Sequence, residues 1–279
     1  MIIVRPAAVA GTFYPGDPRT LAATVDRLLV AAALDTDTDS EADADSGNIA
    51  PVAVIVPHAG YVYSGPVAAS AYARIAPWKG TITRVVVIGP AHRAYVTGLA
   101  LSSADAFATP LGEIPVDRVA HEVLLRHPGV GVDDHAHAAE HSLEVHLPFL
   151  QRALGDGWSL VPIVAGAADT GTVADALGAV WGADGTLVVV SSDLSHYHDT
   201  HTARRLDLAT AAAIVSGDWE HLDGERACGA VPVRGALELA RRHGETITLL
   251  DLRNSGDTAG PMSRVVGYGS FLVSAASGG

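Results

Sequence analysis

Three stretches of this chain end an apolar run in a side chain that could hold a metal or move a proton. Val52-Ala-Val-Ile-Val-Pro57 reads as a buried strand closed by its proline, and it delivers His58 just past its end. Arg84-Val-Val-Val-Ile-Gly-Pro-Ala repeats the arrangement and delivers His92. A third run, Val188-Val-Val-Ser-Ser, leads to Asp193 and His196. Two strand-end imidazoles suit a metal. His196 is of the residue type suited to proton exchange at neutral pH. Asp193 could orient a histidine or merely cap the following turn. Cys228 precedes an apolar-periodic helix expected from Val231, and the helix amino terminus would stabilise its thiolate. It completes a candidate triad with His58 and His92.

Glu140-His-Ser-Leu-Glu-Val-His-Leu-Pro148 is the other polar concentration. His141 and Glu144, three apart, share one helix face, whereas His146 does not. The histidines are not four apart, so this is no zinc-protease helix. The segment is either a helix start with acids in its first turn or a support for the metal site through His141 or Glu144. The remaining histidines read as ordinary. His121, His127, His221 and His243 fall on helices or their ends and read as solvated or capping residues, and His135 and His137 flank a solvated loop.

The elements that must position these residues alternate strand and helix along the chain. Asp17 caps a helix with Pro18 at its first position; Ser64 and Pro66 start another through Ile75. Further helices are expected at 116–127, 169–181, 202–216 and 231–243, and further strands near 99–102, 187–190, 246–252 and 263–273. That pattern predicts one α/β domain, a three-layer sandwich with a central, largely parallel or mixed sheet. Ligands bind such sheets at the carboxyl edge, where loops are free while the strands fix their roots. Residues 35–48, rich in Asp, read as a flexible acidic surface loop. A calcium-binding loop on Asp35, Asp37 and Asp39 would need a glycine and a terminal glutamate at set positions, and these are missing.

Composition narrows the partners. With 279 residues, 48% of them hydrophobic, the chain can bury a large core, and a net charge of −13 argues against a nucleic-acid partner. No apolar run approaches the ~18 residues needed to span a membrane, and the amino terminus lacks a secretory pattern. The single cysteine excludes an internal disulfide, so a cytoplasmic location is expected. Oligomeric state is not legible.

Taken together, Pro57-His-Ala-Gly-Tyr-Val-Tyr63, Gly89-Pro-Ala-His92, Glu140 to Pro148, Ser191-Ser-Asp193 with His196, and Cys228-Gly-Ala-Val-Pro232 resemble the MEMO family in order and over nearly the whole chain. The resemblance implies a fold like that of class III extradiol dioxygenases, with His58, His92 and Cys228 as metal ligands and with Asp193 and His196 beside them. It also implies that Phe13 and Tyr63 line the pocket. Eukaryotic members carry tryptophan where this chain has Phe13, and extradiol enzymes use a carboxylate where this family has the thiol. A thiolate favours iron, copper or zinc. The expectation is iron(II), with copper or zinc as alternatives, performing redox or oxygen chemistry on a small molecule. The rival readings are a module that binds an extended peptide or phosphopeptide beside a residual metal site, and a zinc hydrolase with His196 as base.

Overall fold

The computed structural model describes residues 2–38 and 50–276. Its strands are β1 Val4–Arg5, β2 Pro51–Val56, β3 Arg84–Pro90, β4 Leu99–Leu101, β5 Ala106–Thr109, β6 Gly112–Pro115, β7 Val130–Val132, β8 Ser159–Ala165, β9 Thr186–Ser191, β10 His196–His198, β11 Thr246–Asn254 and β12 Val265–Ser274. Its α-helices are α1 Pro18–Thr38, α2 Tyr61–Ile75, α3 Arg118–Leu124, α4 Asp134–Ala138, α5 Leu147–Leu154, α6 Thr170–Gly178, α7 Thr200–Val215, α8 Ala230–His243 and α9 Ser255–Thr258.

The central sheet runs β10-β12-β2-β9-β3-β8-β4-β7, with β11 also paired to β12. Its middle, β2-β9-β3-β8, is parallel, while β12 and β4 flank it antiparallel. The sheet is therefore mixed. Its central strands read as unbroken apolar runs because both faces are covered. Val54, Val56, Val85, Val87 and Val189 pack with α1, α2 and α5. Ala53, Ile55, Val86, Ile88 and Val190 pack on the opposite face with α3, α6, α7 and α8. The alternation follows the two-residue period of a strand and gives the expected three layers. The crossover from β2 to β3 carries α2 on one face, and that from β8 back to β9 carries α6 on the other. The carboxyl ends of β2, β9 and β3 thus lie side by side where the winding reverses, as expected of a ligand site. A separate small sheet, β1-β5-β6, holds the amino terminus.

Several boundaries differ from the expectations. Helix α2 starts at Tyr61, directly after Gly60, and not at Ser64. Pro66 lies inside it and forfeits one bond, to the carbonyl of exposed Val62, where water can substitute. Gly65 is a packing residue: a Cβ there would meet Leu28 Cδ1 of α1 at 3.0 Å. Pro90 does not end its ladder with β8, with which it stays in register opposite Ala165. It does end beyond the pairing with β9, which stops at Ile88. Helix α1 continues through 35–38, because the strong helix formers Ala31 to Leu34 carry it into the acidic stretch expected as loop. The rest of that stretch, 39–48, lies outside the described residues. His137 and His121 are buried rather than solvated. The ring of His137 pairs through Nε2 with the Ala100 carbonyl at 2.9 Å, and burial lowers its pKa to about 4. No helix among the described residues is long and apolar enough to cross a membrane.

Candidate metal centre

His58, His92 and Asp193 each sit two residues beyond the ends of β2, β3 and β9, respectively, so three adjacent strands deliver them to one edge. Cys228 comes from the turn before α8. The ligand atoms of His58, His92 and Cys228 all lie within 4.8 Å of one another, and Cys228 Sγ is 3.3 Å from His58 Nε2. Nitrogen and sulfur ligands on one metal stand about 3–4 Å apart, given bonds of about 2.0–2.3 Å. The separation fits.

Hydrogen-bond accounting fixes which nitrogens face the site. Ser191 Oγ donates to the Ser142 carbonyl at 2.6 Å, since that oxygen can only accept. Its two other partners, His58 Nδ1 at 2.7 Å and His146 Nε2 at 2.8 Å, must therefore donate to it. That leaves His58 Nε2 with a free lone pair aimed at Cys228. Tyr72 then donates its hydroxyl to His146 Nδ1 at 2.8 Å. Glu140 does the same for His92. It accepts from Nδ1 at 3.0 Å and from the His92 backbone at 2.6 Å, leaving Nε2 free.

The electrostatics agree with this tautomer assignment. Burial, followed by the charges of His92, His141 and His146, holds His58 well below its ordinary pKa and so keeps it neutral. Burial lowers His146 to about 3. Burial raises the Glu140 carboxyl, but hydrogen bonds from His141, His92 and Ser142 together outweigh it and keep the group ionised. Burial, then the charge of Asp193, pushes the Cys228 thiol up, against the helix-dipole expectation. A bound cation would have to displace that proton.

The backbone around Cys228 is tightly held. The Asp193 amide points at its sulfur at 3.3 Å, and the Cys228 amide donates to the Asp193 carbonyl at 3.2 Å. Ser192 Oγ accepts from the Gly229 amide at 3.0 Å, tying the start of α8 to the end of β9. A Cβ on Gly229 would overlap the Ser191 carbonyl and stand 2.6 Å from Ser192 Cβ. Gly229→Ala is therefore expected to displace Cys228 and lower metal content several-fold, measured by elemental analysis. Unchanged content would show that the turn has slack.

The cavity in front of these atoms is about 520 Å³, lined in part by Phe13, Tyr63, His141, Asp193, His196 and Tyr268. The Phe13 ring lies 4.6 Å from that of His141, which stacks on His92 at 4.7 Å. His196 Nδ1 donates to the Leu194 carbonyl at 2.8 Å, leaving Nε2 as a proton acceptor.

A family model described as a Memo-like protein matches residues 5–272. The chain is 37% identical over 276 residues to a MEMO1 family protein of Aquifex aeolicus, covering 95% of this chain and 97% of that one. It is 37% identical over 282 residues to a MEMO1 family protein of Ignicoccus hospitalis, covering 96% and 97%. The chain belongs to the Memo family.

In this Memo protein the expected residues converge, with two exceptions of role. Glu144 is neither in the candidate ligand group nor on the cavity wall: it accepts from Arg5, from the amides of Ala8 and Val9, and from Tyr14, so it anchors the amino-terminal segment. His141 and Glu144 do not share a helix: His141 lies before the turns that lead into the 3-10 segment Glu144–His146. Among the described residues Asp193 makes no hydrogen bond to the His196 ring, whose Nδ1 goes to the Leu194 carbonyl. Its carboxylate accepts from the His58 backbone at 2.7 Å and fixes that loop instead. The sequence reading missed Glu140 and Ser191 as partners of the candidate ligands. Glu140 stands in the quoted motif directly before His141, but only the fold reveals that it reaches His92.

Proposed function

We propose that this Memo-family chain is a mononuclear metal protein that performs redox or oxygen chemistry on a small molecule bound in the 520 Å³ cavity. The observation that carries the reading is the pair of fixed tautomers: Ser191 and Glu140 leave His58 Nε2 and His92 Nε2 free beside Cys228 Sγ. Three protein donors leave coordination positions open toward the cavity, the arrangement of a catalytic rather than a structural site. Two imidazoles and a thiolate suit iron, copper or zinc, and iron is the metal we assign. When bound, ferrous iron supplies open positions for small ligands and one-electron chemistry. The chain's own part is to hold the two imidazoles and the sulfur aimed at one point, to shield them on the sheet side, and to present His196 Nε2 for proton exchange with a substrate. Phe13 and Tyr63 wall the substrate body.

Elemental analysis of protein purified without oxygen tests the assignment. Iron near one equivalent is expected, together with an electron paramagnetic resonance signal when the ferrous protein takes up nitric oxide. Zinc in its place would move the reading to hydrolysis, and persistent absence of any metal would move it to a binding module.

A further inference from the structure

The mouth of the cavity carries a feature that the metal reading does not use. Arg93 and Arg264 both line it, and among the described residues neither makes an ion pair, unlike Arg5, Arg84, Arg152 or Arg204 elsewhere. The chain as a whole is strongly acidic, at −13. Yet the charged side chains of the cavity wall are two arginines against one carboxylate, Asp193. That carboxylate already accepts from the His58 amide. A positive cavity in an acidic protein attracts and retains anions.

Arg264 is also held in place. Its guanidinium lies 4.4 Å from the centroid of the Tyr197 ring, a cation-π contact. Tyr197 in turn stands edge-on to His196 at 5.6 Å. Tyr197 is the only non-glycine among the described residues with positive φ, at 64°, and it sits at the bulge where β10 shifts register against β12. A bulky side chain tolerates that conformation only under constraint, and such strain concentrates where a ligand is met.

We infer that Arg93 and Arg264 form an anion subsite at the mouth of the cavity, which selects small organic substrates bearing a carboxylate or phosphate group. The inference rests on reading the cavity as a small-molecule site. The size of the cavity matches a small molecule, and the rings of Phe13, Tyr63 and Tyr268 offer flat apolar walls for its body.

The probe is 4-fluorobenzoate, followed by fluorine NMR against the full chain, both metal-loaded and after chelation, with 4-fluorobenzyl alcohol as the neutral counterpart. The benzoate is expected to bind both forms and the alcohol to bind neither comparably. Arg93→Gln and Arg264→Gln should each weaken benzoate binding about tenfold, the scale of a charged hydrogen bond, while Arg264→Lys weakens it less. Both arginines are exposed, so without probe the melting temperature of Arg93→Gln should not change and that of Arg264→Gln, which gives up the Tyr197 contact, should fall by no more than about 2–4 °C. Displacement by inorganic phosphate would extend the recognised group from carboxylate to phosphate; failure to displace would restrict it to carboxylate. Equal affinity in wild type and both glutamine variants overturns the subsite. So does arginine-dependent binding of a phosphotyrosine peptide with no binding of the benzoate. Because the chelated arm needs no metal, these outcomes are separate from the elemental analysis that tests the metal itself.

Discussion

Metal content in Cys228→Ser is expected to fall about tenfold or more relative to wild type, while the fold is retained. The substitution exchanges sulfur for oxygen in a side chain of the same shape, so the amide contacts from Asp193 can persist. A serine hydroxyl, however, does not ionise at neutral pH and is a poor ligand for the metals that two imidazoles favour. His58→Ala should show the same loss. His135→Ala, exposed on α4, should bind as much metal as wild type. Elemental analysis and melting temperature, measured together on protein purified without oxygen, separate loss of ligation from loss of fold. Equal occupancy in wild type and Cys228→Ser would remove the thiolate from the site and with it the proposed donor set.

Glu144→Ala should destabilise the protein by on the order of 3–5 kcal/mol, the cost of leaving a buried charge without its partner. For a chain of this size that corresponds to a fall in melting temperature of about 10 °C. Glu144 is fully buried and accepts from the Arg5 guanidinium, two backbone amides and the Tyr14 hydroxyl. Arg5 also donates to the carbonyls of His137 and Glu140, so the same network fixes the segment from which Glu140 reaches His92. The amides of Ala8 and Val9 lead into the turn that carries Phe13 to the cavity wall. Loss of Glu144 should therefore loosen both the amino terminus and that wall. The double variant Arg5→Met/Glu144→Leu should recover part of the loss, since it removes both charges together. A melting temperature of Glu144→Ala within about 2 °C of wild type would show that water or relaxation rescues Arg5.

The sequence by itself determined the alternation of strand and helix, the two-sided burial of the central strands, and the delivery of His58, His92 and Asp193 to one edge. These are local consequences. An apolar run such as Val85 to Ile88 can be satisfied only by cover on both faces, and the residue just past its end must emerge at the sheet's edge. Helix α1 showed the limit of that reading at a boundary, because composition at 35–38 argued for loop while the preceding alanines and leucine propagated the helix. Tertiary structure alone decided which polar groups meet. Ser191 lies 133 residues from His58, and Glu140 lies 48 from His92, so nothing local to either histidine announces its partner. The spacing of Glu144 to His141 leaves open a first-turn acid or a support of the metal site, but Glu144 meets Arg5, 139 residues away, because a buried guanidinium must be matched wherever the chain brings a carboxylate. Strand propensity and hydrophobic period act over a few residues and survive in the sequence. Hydrogen-bond satisfaction in the interior is settled only when distant segments are packed, and that packing fixes the tautomers on which the proposed metal centre depends.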